Sequence, residues 1–115
     1  MNCAVERAHD TDRDLAAIFD FLIESYAAFG EDPDAAVESA ATRLRSIETA
    51  MLSLGDAPRQ ETLRPELLPG LRSVTKNRAV FYFDVDDDRR VVRVLAVFFG
   101  GRDHRRLMLK RLLGS

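Results

Sequence analysis

The sequence predicts one α+β domain in which a short N-terminal strand and a long α-helical hairpin precede a three-stranded antiparallel meander and a short C-terminal helix. Three observations carry that prediction. Apolar residues recur every three or four positions through two consecutive stretches before residue 55, three apolar runs separated by short turns follow residue 70, and the chain after Gly100-Gly101 is basic with leucines at helical spacing. With 115 residues, of which 46% are hydrophobic, there is material for one core and no room for a second domain, so residues 1–115 are read as a single unit.

The segment from Asn2 to Arg7 alternates around Cys3 and Val5, which suits a short strand. Thr11, with Asp14 three residues later, has the capping-box arrangement, and Leu15, Ile18, Leu22, Tyr26 and Phe29 then form one face of a helix that Gly30 ends. A second helix starts at once, with Asp32 as N-cap and Pro33 in the first turn, where its missing N–H costs nothing. Its buried stripe is Val37, Leu44, Ile47, Met51 and Leu54, and Gly55 closes it. The two helices, about 18 and 22 residues long, make an antiparallel hairpin. Ala35, Ala36, Ala40, Ala41 and Ala50 allow its neighbours to approach closely.

Gly55, Pro58, Pro65, Pro69 and Gly70 mark residues 55–70 as an irregular connection. Three strands follow at Leu71 to Val74, Ala79 to Val85 and Arg90 to Phe99, with turns at Thr75-Lys76-Asn77 and Asp86-Asp87-Asp88. The later two runs are almost continuously apolar, so the sheet is expected to be covered on both faces or buried at its centre, with the helical hairpin as one cover. In the closing helix Arg102, Arg106 and Lys110 fall on one side, and Leu109, Leu112 and Leu113 elsewhere around it.

Composition excludes several functions. A single cysteine, Cys3, permits no intramolecular disulfide and no zinc site of paired cysteines, and a reducing cytoplasm fits. No stretch approaches the roughly 20 apolar residues that span a bilayer, and Glu6, Asp10, Asp12 and Asp14 stand where a signal peptide is basic and then apolar. A soluble, cytoplasmic protein without membrane contact is expected. Phosphate-binding glycine loops and His-Glu-x-x-His are missing. Only His9 and His104 are present, and Asp86-Asp87-Asp88 reads as a solvated turn, so neither a metal nor another cofactor is expected.

The formal net charge of −2 conceals an asymmetry: residues 1–58 hold 4 basic and 12 acidic groups (−8), and residues 59–115 hold the other 13 basic and 7 acidic groups (+6). The basic half suits a nucleic acid, a ribosome or an acidic protein tail. Its arginines Arg72, Arg78 and Arg102 fall at strand edges, where pairing of neighbouring strands could gather them on one concave surface able to hold phosphate or carboxylate. The bland alternative is a set of separate surface arginines.

Several motifs then follow in a fixed order: Pro69-Gly70-Leu71-Arg72, then Asn77-Arg78-Ala79-Val80-Phe81-Tyr82-Phe83, then Val91-Val92-Arg93-Val94-Leu95-Ala96-Val97, then Phe99-Gly100-Gly101-Arg102-Asp103. Together with the preceding strand and hairpin, this order resembles the RelE/ParE superfamily, the toxins of bacterial type II toxin–antitoxin (plasmid stabilization) modules. The resemblance covers nearly the whole chain and implies a twisted antiparallel sheet that includes the N-terminal strand, with the hairpin packed on one side. It also implies a cognate antitoxin that wraps the toxin as a hetero-oligomer. Arg72, Lys76, Arg78, Arg102, Arg105, Arg106 and Lys110 are the residues expected to meet antitoxin or target.

Two activities occur in that superfamily. RelE-like members cleave messenger RNA at the ribosome with a cluster of cations and a proton-transfer group, roles that would fall here to Arg72, Arg78, Arg102 and His104. ParE-like members poison DNA gyrase without a recognised hydrolytic site. No tyrosine follows Tyr82, Phe99 replaces a frequent histidine, and Gly101 replaces the first arginine of a usual pair. Those departures, with the long hairpin, favour inhibition of DNA gyrase over mRNA cleavage. Whether the chain is an enzyme turns on that choice. A decayed module that binds its partner and harms nothing is a third reading, motivated by Gly101.

Overall fold

The structure is a computed structural model and describes residues 2–100 and 103–114. Strand β1 (Ala4–Arg7) leads into α1 (His9–Ala28) and α2 (Pro33–Leu52). Strands β2 (Thr62–Leu63), β3 (Arg72–Lys76), β4 (Ala79–Asp86) and β5 (Val91–Phe99) follow, and α3 (His104–Leu112) closes the chain. The sheet order is β1-β5-β4-β3-β2, with β1 parallel to β5 and every other pair antiparallel. The expected N-terminal strand therefore joins the sheet. A fifth strand, β2, lies inside the Pro-rich connection; two residues are too few to leave a periodic signal.

Both long apolar strands are covered on two sides. Ala79, Phe81 and Phe83 of β4 with Val92, Val94 and Val97 of β5 pack against Leu15, Ile18, Leu22, Ala40, Ile47 and Met51 of the hairpin. Alternate residues Val80, Tyr82, Ala96 and Phe98 form a second cluster with Leu71 and Met108, so α3 covers the opposite face. Tyr82 pairs with Ala96 but Phe83 with Val94, which makes Leu95 an extra residue; this bulge lets both Val94 and Val97 face the hairpin.

The hairpin differs from expectation at its ends. Asp32 caps α2, accepting from Ala35 N at 2.9 Å, with Pro33 in the first turn. Thr11, however, is not a cap: α1 begins at His9, its cap position Ala8 offers no side-chain bond, and Thr11 Oγ1 is fully buried and donates to Val94 O at 2.9 Å. The start of α1 lies against β5, so the hydroxyl satisfies a strand carbonyl instead of its own helix. The face of α2 turned inward carries Ala36, Ala40, Leu44, Ile47 and Met51, which leaves Val37 one position off the stripe and 45% exposed. Phe29 sits at the C-cap beyond the last turn of α1 and is 90% exposed.

Gly55 does not stop α2, which ends at Leu52 and continues as a short 3-10 turn over Ser53–Gly55. Its role is close approach: Cys3 N donates to Gly55 O at 2.7 Å, and a Cβ at residue 55 would lie 2.2 Å from Cys3 O. Between β3 and β4 the turn is the two-residue pair Asn77-Arg78, both with positive φ (53° and 65°), so β3 runs on to Lys76. Arg43 Nη2 donates to Asn77 O at 2.9 Å, and Asn77 Nδ2 donates to Ser46 O at 3.2 Å, tying the turn to α2.

Candidate functional site

The sheet divides the residues that the sequence singled out. Arg72 pairs with Phe83 and Lys76 with Ala79, so both side chains leave the sheet on the hairpin face. There Arg72 Nη1 donates to the carbonyls of Arg59 (3.0 Å) and Glu61 (2.8 Å), and Lys76 Nζ donates to Ser53 Oγ at 3.1 Å. Arg78 is exposed in the β3–β4 turn. His104, Arg105, Arg106 and Lys110 belong to α3, on the other face. Among the described candidates, Arg72 and Lys76 therefore share one face of the sheet, while His104, Arg105, Arg106 and Lys110 stand on α3 at the other. Arg102 lies outside the described residues.

What the α3 face does assemble is a small polar group around the predicted His104, of which sequence reading missed Tyr82, Arg64 and Ser73. Tyr82 is fully buried, and its Oη lies 2.9 Å from His104 Nδ1 at the start of α3. Burial pushes the Tyr82 phenol above its ordinary pKa, opposed by the charges of Arg64 and Arg105 and reinforced by Glu66 and Asp103. Arg64 Nε donates to Ser73 Oγ at 2.8 Å, and Ser73 is the residue paired with Tyr82 across β3–β4. Arg105 pairs with Glu66 at 3.3 Å, and Asp103 caps α3 by accepting from Arg106 N at 3.2 Å. The aromatic run of β4 reads as core, and nothing in it marks one ring as carrying a hydrogen-bonded hydroxyl.

A second contact fixes the other end of α3. Arg111 forks onto Asp14, Nη1 to Oδ2 and Nη2 to Oδ1 at 2.7 Å each, while Asp14 Oδ2 also accepts from Val97 N at 3.0 Å. Arg111 Nη1 further donates to Leu95 O, and its guanidinium lies 5.5 Å from the Phe98 ring centre. The hydrogen bond to Asp14 holds the Arg111 pKa above its ordinary value despite desolvation. This pair floors a cleft of about 440 Å³ between α1, β5 and α3, walled by Ala17, Phe21, Phe98, Phe99 and Leu107.

The solvent side of α3 presents Leu109 and Leu113, 45% and 75% exposed, on successive turns beside the exposed Arg106 and Lys110. Such a face suits an amphipathic, acidic partner. Among the described residues no group of histidine, cysteine, aspartate and glutamate side chains could hold a metal ion, and no helix is long and apolar enough to cross a membrane.

No protein-family model matches the sequence, and no curated protein matches it. Solved structures do. The chromosomal ParDE toxin–antitoxin system of P. aeruginosa is similar over 84% of this chain and 95% of that one, at 18% identity and TM-score 0.56. The RelBE2 toxin–antitoxin complex of Mycobacterium tuberculosis is similar over 87% and 100%, at 20% identity and TM-score 0.55. A mutant of the E. coli toxin RelE in the free state is similar over 98% and 99%, at 12% identity and TM-score 0.60. A strand, a hairpin and a meander in this order, with the hairpin on one face of the sheet and α3 on the other, matched over 84% to 98% of the chain by ParDE, RelBE2 and RelE structures, give this chain the fold of the RelE/ParE superfamily of toxins.

Proposed function

We propose that the chain is the toxin of a type II toxin–antitoxin module and that it acts in the cytoplasm on DNA gyrase. The fold supports the first part. The second rests chiefly on one observation: the strand residues clustered with Met108 of α3, Val80, Tyr82, Ala96 and Phe98, include no lysine or arginine, and Arg93, on the same face of the sheet, is paired with Asp84. A cleavage site needs positive charge converging on the scissile phosphate, and Arg72 and Lys76 lie across the sheet from His104 with their cationic groups bonded elsewhere. The cognate antitoxin, an acidic amphipathic segment, meets Arg105, Arg106 and Lys110 on the outer side of α3, with Leu109 and Leu113 as its apolar contacts.

A second reading, a ribosome-dependent endoribonuclease, draws on the Tyr82–His104 pair, which could pass a proton, with Arg64 and Arg105 near it. The two readings separate in vitro. The purified chain is expected to block supercoiling by DNA gyrase and to leave mRNA on translating ribosomes intact, and His104→Ala is expected to keep the gyrase effect. Messenger RNA cleavage that disappears in His104→Ala would replace this reading with the nuclease.

A further inference from the structure

The far end of the helical hairpin differs in charge from the rest of the surface. From Asp20 to Glu38 the chain carries six carboxylates, Asp20, Glu24, Glu31, Asp32, Asp34 and Glu38, and no lysine, arginine or histidine. Two of them act within the fold: Asp32 caps α2, and Glu31 accepts from Ser39 Oγ at 3.1 Å. The other four are exposed, and no ion pair among the described residues involves any position between 15 and 47. Nearer the sheet, eight carboxylates, Glu6, Asp10, Asp12, Asp14, Glu48, Glu66, Asp84 and Asp87, have arginine partners, while Asp56, Glu61, Asp86 and Asp88 appear in none of these pairs.

Within this acidic stretch stands Phe29, at 90% the most exposed of the large apolar side chains among the described residues, with Val37 at 45% on the first turns of α2. The backbone holds Phe29 outward. Its N–H reaches Ser25 O and Tyr26 O at 3.1 and 3.2 Å, Gly30 N reaches Ala27 O at 3.0 Å, and Glu31 N reaches Tyr26 O at 3.2 Å. Gly30 adopts φ +102°, a conformation that side-chain-bearing residues rarely take, and so fixes the turn. An aromatic side chain on a hydrogen-bonded turn loses little backbone freedom on binding, and an aromatic anchor within a polar rim is the usual centre of a protein interface.

We propose that this hairpin end, centred on Phe29, is the surface by which the protein docks on its target, and that the occupant is a protein face rich in lysine and arginine around an apolar pocket. This rests on the gyrase reading, and the charge argues for it: an enzyme that grips duplex DNA must present cations to phosphates. Glu24, Asp34 and Glu38 offer the same sign of charge as a DNA backbone, and Phe29 adds the apolar contact that DNA lacks. The knob therefore competes with DNA for the basic face. It also assigns opposite charges to opposite tasks, acidic hairpin to target and basic α3 to antitoxin.

The test measures binding of the full chain to purified bacterial DNA gyrase, for wild type, Phe29→Ser, and the triple neutral variant Glu24→Gln, Asp34→Asn, Glu38→Gln. Thermal midpoints check folding, and sedimentation checks self-association. The expected result is wild-type binding that duplex DNA displaces, a loss of at least about tenfold in each variant, and a flatter salt dependence in the triple variant. Variants that bind gyrase as wild type does overturn the docking surface and leave the gyrase reading standing. No wild-type binding to gyrase brings down both. A wild-type dimer that Phe29→Ser dissociates assigns the knob to a second copy of the chain and overturns the proposal.

Discussion

Tyr82 shows what one buried polar group contributes at this site. Its ring fills the cluster beneath α3 and its hydroxyl meets His104 Nδ1, so Tyr82→Phe keeps the packing and removes one hydrogen bond. A cost of about 1 kcal/mol at neutral pH is expected from urea unfolding. The phenol pKa is raised in the folded state, so the folded chain holds this proton more tightly than the unfolded one. Stability from this source is complete below the ordinary value of 10.0 and falls as pH rises through the folded value. Tyr82→Phe should lack that share of the alkaline loss; an identical alkaline decline in the variant would show that Tyr82 is not its source. At this scale the sequence was least transparent. Thr11 and Asp14 were legible as polar residues at a helix start, but their partners on β5 lie 83 residues away, and no local pattern reports a bond of that span.

Among the elements, α3 is the one most dependent on its neighbours. Nine residues are too few for a helix to persist alone in water. Met108, the His104–Tyr82 contact and the Asp14–Arg111 fork hold it to the sheet and to α1. Asp14→Ala strands a half-buried guanidinium and leaves Val97 N without its acceptor, which is expected to cost about 2 kcal/mol. Amide exchange in α3 should rise well before exchange in β4 and β5 does; unchanged exchange in α3 would mean that Met108 and His104 suffice to dock it. Long helices and long strands were readable because their periods repeat several times. β2 was not, having two residues, nor was the Asn77-Arg78 turn, because an arginine with positive φ carries no turn signature; the turn is held by bonds between α2 and Asn77 and by Gly100 N donating to Arg78 O.

For the whole molecule, the sheet acts as a partition, and that property decides how the candidate residues can cooperate. The order of motifs along residues 69–103 was enough to reach the fold, because order survives where individual side chains do not. It was not enough to assemble the site, since sequence order does not say which face Arg72, Lys76 and His104 occupy once strands pair in register. The charge division between halves emerges as two distinct surfaces, an acidic hairpin end bearing Phe29 and a basic outer side of α3. The proposed function requires that this chain, without its antitoxin, arrest growth by disabling DNA gyrase. The direct measurement is pulse-labelled thymidine and methionine incorporation in one bacterial culture, in the minutes after the chain is induced alone. Thymidine incorporation should fall first, with a DNA-damage response that co-expressed antitoxin prevents. A fall in methionine incorporation ahead of thymidine, or no slowing of growth despite expression of the folded chain, would contradict the claim.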